Sequence, residues 1–243
     1  MKTSDPVPEE SPALTPGVFS SYGHGWRQMR KFFLELLLVA IVSFLLSIPS
    51  LGLYVQEVKE MVSEHIALDF ILVQIEGKGA FYLVSLVFLI LLEWPIEYGI
   101  SFVSLKAARG NQVQVKDMFE VFKNYTNAVL ANLLVAFITV VGFVFLLVPG
   151  IIFACKLAFV SYLVVDRKMD AVAAVKESWR MTSGHAFAIF LMGVLTIFVI
   201  LAGLLCLGIG IIISGMWIRV AFASLYHAVA TTLKGVPPRV TSA

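Results

Sequence analysis

Charge is scarce in this sequence. Only 14% of its 243 residues are Asp, Glu, Lys or Arg, against about 25% in soluble domains. Hydrophobic residues make up 59% of the chain and mean hydropathy is +0.91. This balance excludes an ordinary water-soluble fold, whose surface would have to be apolar almost everywhere. Cysteine is nearly missing. Cys155 and Cys206 both lie inside apolar runs, where they read as small packed hydrophobes rather than a disulfide framework or a metal site. The four histidines, His24, His65, His185 and His227, are scattered with no metal-ligand spacing. No Gly-rich phosphate loop and no Gly-x-Ser-x-Gly elbow occurs, and Gly208-Ile209-Gly210 follows an apolar run and reads as a turn. No catalytic residue, metal or cofactor is therefore predicted, and the chain is expected not to be an enzyme. The net charge of +2 is too small for a nucleic-acid partner.

What the chain has instead is long apolar runs. A helix needs about 20 apolar residues to cross the hydrocarbon layer. Such runs place six spans at 31–54, 80–105, 126–148, 149–166, 185–207 and 209–232. The expected fold is all-α: a polytopic membrane bundle of six transmembrane helices over residues 22–234. Residues 1–21, rich in Pro, Ser and Glu and lacking the basic-then-apolar start of a secretory signal, read as a disordered tail. Residues 235–243 form a second tail. The third and fourth spans are one apolar run broken at Val148-Pro149-Gly150, so Pro149 and Gly150 are predicted to form a hairpin turn. The last two spans should part at Leu207-Gly208-Ile209-Gly210.

Orientation follows the cations. Fourteen Lys and Arg residues fall on one side of the spans: Lys2, Arg27, Arg30, Lys31, Lys106, Arg109, Lys116, Lys123, Arg167, Lys168, Lys176, Arg180, Lys234 and Arg239. The other side holds two, Lys59 and Lys78, among Glu57, Glu60, Glu64, Asp69 and Glu76. The bias predicts a multi-pass protein of the bacterial inner (cytoplasmic) membrane with both termini cytoplasmic.

Shifting the sequence by 57 residues lays Phe102-Val103-Ser104 on Phe159-Val160-Ser161 without gaps. The same shift lays Val115, Met118 and Phe122 on Val172, Val175 and Trp179, with Glu120 on Glu177 and Lys123 on Arg180. Met169, Val172, Val175 and Trp179 share one face at helical spacing. With Arg180 on the polar side, they predict a short amphipathic helix on the cytoplasmic interface. Residues 115–123 should form its counterpart, and Trp26 a degraded third copy. The repeated unit is then an interfacial helix followed by a helical hairpin. Such helices are either connectors or a surface for membrane lipids, with a protein partner or a second copy of the chain left open. The outer segment 55–79 carries a further stripe, Val55, Val58, Val62 and Ile66.

The run Val148-Pro149-Gly150-Ile151-Ile152, then Asp166, then Ala174-Val175-Lys176-Glu177-Ser178-Trp179 and Gly184, resembles a broad bacterial family. That family is typified by the membrane domain fused to some glycerophosphodiester phosphodiesterases. The similarity is best over residues 100–232. It implies a six-helix bundle with a proline-glycine hairpin and an amphipathic cytoplasmic helix, close to lipid metabolism. No catalytic residue is carried over, because in the family catalysis belongs to a separate soluble barrel.

Ionisable residues inside the spans are the remaining signal. Glu93 and Glu97 lie four apart on span two, Lys156 is on span four, Arg219 is near the middle of span six, and Glu35 is near the start of span one. A charge at the bilayer centre costs about 2.5–3.5 kcal/mol, so these residues should pair. The expected pairing is Glu93 or Glu97 with Arg219 or Lys156. Such a pair either specifies helix packing or lines a polar path for a small solute or ion. Trp94-Pro95 predicts a kink between the two glutamates. Cys206, Gly210 and Ser214 suggest a close-packing stripe.

Overall fold

The computed structural model describes residues 15–63, 84, 86–205 and 209–235. Every regular element among them is helical. Helix α1 (Val18–Lys31) is followed by α2 (Phe33–Ser63), and the two meet at 90° across Phe32. Next come α3 (Leu86–Ala108), a 3₁₀ helix (Val115–Asn124) and α4 (Tyr125–Phe145). Then follow α5 (Leu147–Leu157), α6 (Val160–Asp166), α7 (Ala171–Thr182), α8 (Ala186–Leu205) and α9 (Ile209–Gly235). Five stretches are long and apolar enough to cross a membrane: Leu86–Ala108, Val115–Phe145, Leu147–Asp166, Ala186–Leu205 and Gly210–Leu233. Helix α1 and the Phe33–Ile48 part of α2, bent by 90° at their junction, meet the same criterion only when taken together, which brings the number to five or six. The fold is an all-α polytopic bundle.

Three expectations need correction. Helix α1 starts at Val18, inside the stretch read as a tail, because it has a face to bury. Ser21, Tyr22, Gly25 and Met29 are spaced one, three and four, which keeps them on one side of the helix, and all are buried. Gly25 lets α1 lie directly on α9, since a Cβ there would come within 2.8 Å of the Ala221 backbone. The second correction moves the α4–α5 hairpin turn off Pro149 and Gly150. The turn is Leu146 alone, extended at φ −173° and ψ 153°. Pro149 sits in the first turn of α5, where its missing N–H costs nothing because first-turn donors have no intrahelical partner. Gly150 serves the contact between arms, packing on Gly142 and Phe143.

The third correction concerns residues 115–123. They wind as a 3₁₀ helix, with three residues per turn, so side chains at i and i+3 eclipse. Met118 and Val121 are therefore buried together, while Phe119, Phe122 and Tyr125 stack outward with ring centroids 6.2 and 5.9 Å apart. Val115, Met118 and Phe122 do not share a face. A capping box starts the element: Gln114 and Asp117 hold each other's backbone N–H, and Lys106 pairs with Asp117 at 2.7 Å.

The proline in α3 distorts the helix before it. Residues Leu89–Glu93 form a π-turn, and Pro95 stands at the start of the regular helix that follows. Having no N–H, Pro95 leaves the Leu91 carbonyl without its helical donor, and the Tyr125 hydroxyl supplies one at 2.7 Å. A comparable repair holds the break between α5 and α6. The Ser178 hydroxyl accepts the Phe159 N–H at 3.2 Å and donates to the Lys156 carbonyl at 2.8 Å. Thr182 adds a second bond to that carbonyl.

Burial concentrates where the basic residues gather. Val103, Leu105, Met118, Val121, Phe159, Leu163, Ala174, Val220, Leu225 and Tyr226 are essentially inaccessible. Away from that basic end, Phe137, Val144, Phe145, Phe198 and Leu205 are among many large apolar side chains left exposed. Their exposure suits hydrocarbon as the surrounding solvent. Helix α8 is described as far as Leu205 and α9 from Ile209, and Cys206, Leu207 and Gly208 lie outside the described residues. Gly210 and Ser214 do pack closely, both against Gly203, and Ser214 donates to the Val199 carbonyl at 3.0 Å. Of the outer stripe, the backbone of 55–63 continues α2, while Ile66 lies outside the described residues.

Candidate functional site

Of the four intramembrane charges, the structure brings two together. The Arg219 guanidinium on α9 donates to both carboxylate oxygens of Glu97 on α3, at 2.6 and 3.0 Å. This fork-on-fork geometry is the strong form of a charged hydrogen bond. The pair lies at the flank of the bundle, with 42% of the Arg219 side chain and 48% of Glu97 accessible.

Glu93 and Lys156 stand apart from this pair and from each other. Glu93 ends the π-turn, and its Oε2 is buried with no hydrogen-bond partner among the described residues. The Lys156 ammonium reaches Ser183 Oγ at 3.1 Å and sits 5.7 Å from the centre of the Trp179 ring. Its charge is thus held by a hydroxyl and an aromatic face rather than by an acid. Glu35 is a half-buried residue in the first turn of α2, where a carboxylate suits the positive end of the helix.

The expected amphipathic helix is α7, shifted slightly from its predicted place. Met169 precedes it, one residue after Lys168, which adopts a left-handed φ of 51°. The face of α7 docked on the bundle is made of Ala171, Ala174, Ser178, Met181 and Thr182. Val172, Val175 and Trp179 flank that face on one side, with Val172 and Trp179 pointing out. Glu177 and Arg180 lie on the other flank and pair at 2.7 Å, and Arg167 also reaches Glu177 at 3.2 Å. The hydrogen bond from Arg180 chiefly holds the Glu177 carboxyl below its ordinary range. One helix thus presents three faces: a small-residue face to the protein, an apolar flank and a charged flank. The apolar stripe was legible in sequence as one face. The small-residue face that does the docking was not singled out, although its spacing was there to read.

A half-buried polar cluster at the basic end was missed altogether. Arg109 donates to both oxygens of Asp166, at 2.6 and 2.7 Å, and the Tyr226 hydroxyl donates to the same carboxylate at 3.1 Å. Tyr226 stacks on Tyr162 at 5.0 Å and meets Phe159 edge-on at 5.5 Å. The bond to Asp166 raises the Arg109 pKa above its usual value. The cluster ties α3, α6 and α9 at one point. Asp166→Ala strips Arg109 and Tyr226 of their acceptor and should cost about 3 kcal/mol. Lys123→Ala, which removes only the exposed pair with Glu120, should cost under about 0.5 kcal/mol in the same detergent unfolding assay.

A second aromatic group fixes α1. The Trp217 indole N–H donates to the Tyr22 carbonyl at 2.9 Å, and the Trp217 ring meets those of Tyr22 and Trp26 at 5.5 and 5.0 Å. The Tyr22 hydroxyl bonds Thr196 at 2.9 Å. Trp26 thus has a packing partner while remaining partly exposed beside Arg27.

Among the described residues no three His, Cys, Asp or Glu side chains converge as metal ligands. Fold and site together define an integral membrane protein of the all-α polytopic class. Compared with protein-family profiles, curated proteins and solved structures, the chain matches none.

Proposed function

We propose that this chain is a non-enzymatic protein of the bacterial inner membrane whose basic end faces the cytoplasm and engages anionic lipid there. The observation that carries the reading is that α7 and the 3₁₀ helix each turn an aromatic side chain outward at the basic end. Trp179 and Phe122 are each 40% exposed. Each element also carries an acid–base pair of the same spacing, Glu177 with Arg180 and Glu120 with Lys123. Arg27, Arg30, Lys31, Lys116, Lys168 and Lys176 are exposed as well and have no carboxylate partner among the described residues. Aromatic side chains flanked by cations suit the headgroup layer, and the excess of cations at one end supports cytoplasmic termini.

The same positions support construction from repeated units of interfacial helix and hairpin. Arg109 and Asp166, themselves separated by 57 residues, bond to each other. The two interfacial elements differ in winding, one 3₁₀ and one α. The resemblance over Val148–Ile152, Asp166 and Ala174–Trp179 supports a place near lipid metabolism.

The test is native mass spectrometry of the protein released from membranes containing phosphatidylglycerol. Each cation near the surface contributes about 1 kcal/mol toward anionic lipid, or about fivefold in retention. The triple variant Lys116→Gln, Lys168→Gln, Lys176→Gln should therefore lose most of the phosphatidylglycerol that the wild type retains. Equal retention by both would overturn the reading.

One observation favours a second reading, a small-solute or ion transporter. A buried carboxylate oxygen without a partner among the described residues, at the end of a π-turn, is a feature of functional sites in membrane helices. Under that reading Glu93→Gln abolishes flux in proteoliposomes. Under the leading one no flux distinguishes wild type from variant.

A further inference from the structure

A cleft of about 440 Å³ runs between α2, α3 and α9. This volume lies within the range of about 300–1,000 Å³ seen for small-molecule sites. Leu36, Val39, Phe44, Ile100, Ile212 and Met216 are among the apolar residues of its wall. Its two serines turn inward: Ser43 bonds the Ala40 carbonyl and Ser104 the Ile100 carbonyl, both at 2.9 Å. The wall is therefore hydrocarbon in character, and one residue breaks that pattern. Arg219 lines the cleft.

A guanidinium has five N–H donors, and Glu97 takes two of those on Arg219. The other three have no partner among the described residues, although the side chain is 42% accessible. On a flank surrounded by lipid, donors left without an acceptor are costly. The pair is already neutral, so an uncharged acceptor completes it better than an anion that would compete with Glu97. An ester carbonyl at the head of an acyl chain has that chemistry. Helix α2 enters the cleft at Leu36, soon after the exposed Arg30 and Lys31, whose charges suit a lipid phosphate.

The geometry points to a specific glycerophospholipid site. One acyl chain fills the cleft between α2, α3 and α9, and its ester carbonyl accepts from Arg219. The inference rests on the chain's lying in a bilayer and not on lipid engagement by α7 and the 3₁₀ helix.

Gly215 provides the test. It lines the cleft, and nothing stands within 4 Å of where its Cβ would be, so Gly215→Phe fills the cleft without displacing backbone. Gly193 on the exposed face of α8 has the same open surroundings and serves as control. The probe is phosphatidylglycerol carrying a diazirine in one acyl chain, photolysed in proteoliposomes of the full chain and mapped by peptide mass spectrometry. Labelling should concentrate on Leu36–Phe44 and Ile211–Arg219 and be displaced by unlabelled phosphatidylglycerol. It should fall about tenfold in Gly215→Phe and stay level in Gly193→Phe. The triple Lys116, Lys168 and Lys176 variant should leave it unchanged, which separates this site from the surface reading.

Labelling spread evenly over the lipid-facing helices and not displaced by unlabelled lipid would overturn the site, whether or not Gly215→Phe folds. Displacement by palmitic acid but not by phospholipid would assign the cleft to a free fatty acid instead. Cross-links between two copies through α2 and α9, with no lipid label in the cleft, would assign it to a second copy. Either result contradicts the proposal.

Discussion

Arg219→Ala should destabilise the protein by about 3 kcal/mol, and Glu97→Ala by a similar amount. The two side chains hold each other in a two-pronged bond on a flank where the neighbours are Ile100, Ile212 and Met216. Removing one partner leaves the other as an isolated charge against hydrocarbon. Removing both leaves nothing to neutralise, so the double variant Glu97→Gln, Arg219→Met should recover most of the loss. Reversible unfolding in mixed detergent micelles, run as a double-mutant cycle, measures the coupling. Single variants within about 0.5 kcal/mol of wild type would show that the flank is wet and that the pair is an ordinary surface ion pair.

Gly99→Ala should be nearly as damaging for a different reason. A methyl group there would land on the Met118 carbonyl oxygen, where α3 and the 3₁₀ helix touch backbone to backbone. Neither backbone can yield alone. Gly99 is buried, Met118 is fully inaccessible, and Asp117 next to it is tied to Lys106 and Gln114. Overpacking of this kind costs about 3 kcal/mol. Gly215→Ala and Gly193→Ala meet open space. They should be neutral or stabilising by up to about 1 kcal/mol, because alanine is the better helix former. If all three alanines behave alike under thermal unfolding, the close approach of α3 to the 3₁₀ helix is wrong.

These effects show which parts of the molecule are legible in its sequence. Length and hydropathy mark the spans, because the bilayer sets a fixed length and leaves few alternatives. The Glu97–Arg219 bond could be anticipated as one of four pairings, since charges stranded in hydrocarbon have little choice but to meet. Which glutamate is used depends on the rotation of α3 after its π-turn. That rotation follows from Pro95 and from Tyr125, a residue on the next span that repairs the Leu91 carbonyl. No local pattern announces such a long-range contact.

The hairpin turn was misplaced by the strongest local signal in the region. Pro149 and Gly150 are both turn residues by habit, yet each also has a use in the first turn of a helix facing another helix. Proline tolerates that position and glycine allows the approach to Phe143. The 3₁₀ winding of Val115–Asn124 was hidden for a related reason. Apolar residues at 115, 118 and 122 fit an α-helical face, while 118 with 121 and 119 with 122 fit a threefold one. Packing of Met118 and Val121 against α3 decides between them.

The Arg109–Asp166–Tyr226 cluster was unread because its members lie at three distant places in the chain. Only the 57-residue shift relates two of them, since it lays Arg109 on Asp166. A repeat match that pairs opposite charges is a signal of contact between copies, and it was present in the alignment.

The central claim is that the outward face of α7 meets the lipid surface. Tryptophan fluorescence quenching in vesicles tests it directly, by comparing wild type with Trp179→Phe. Lipids brominated near the headgroup should quench the wild type more than the variant, which keeps Trp26, Trp94 and Trp217, and the difference is the share of Trp179, while aqueous acrylamide affects the two almost equally. If the fluorescence contributed by Trp179 is instead quenched by acrylamide and untouched by brominated lipid, α7 stands in water and the lipid-surface reading is wrong.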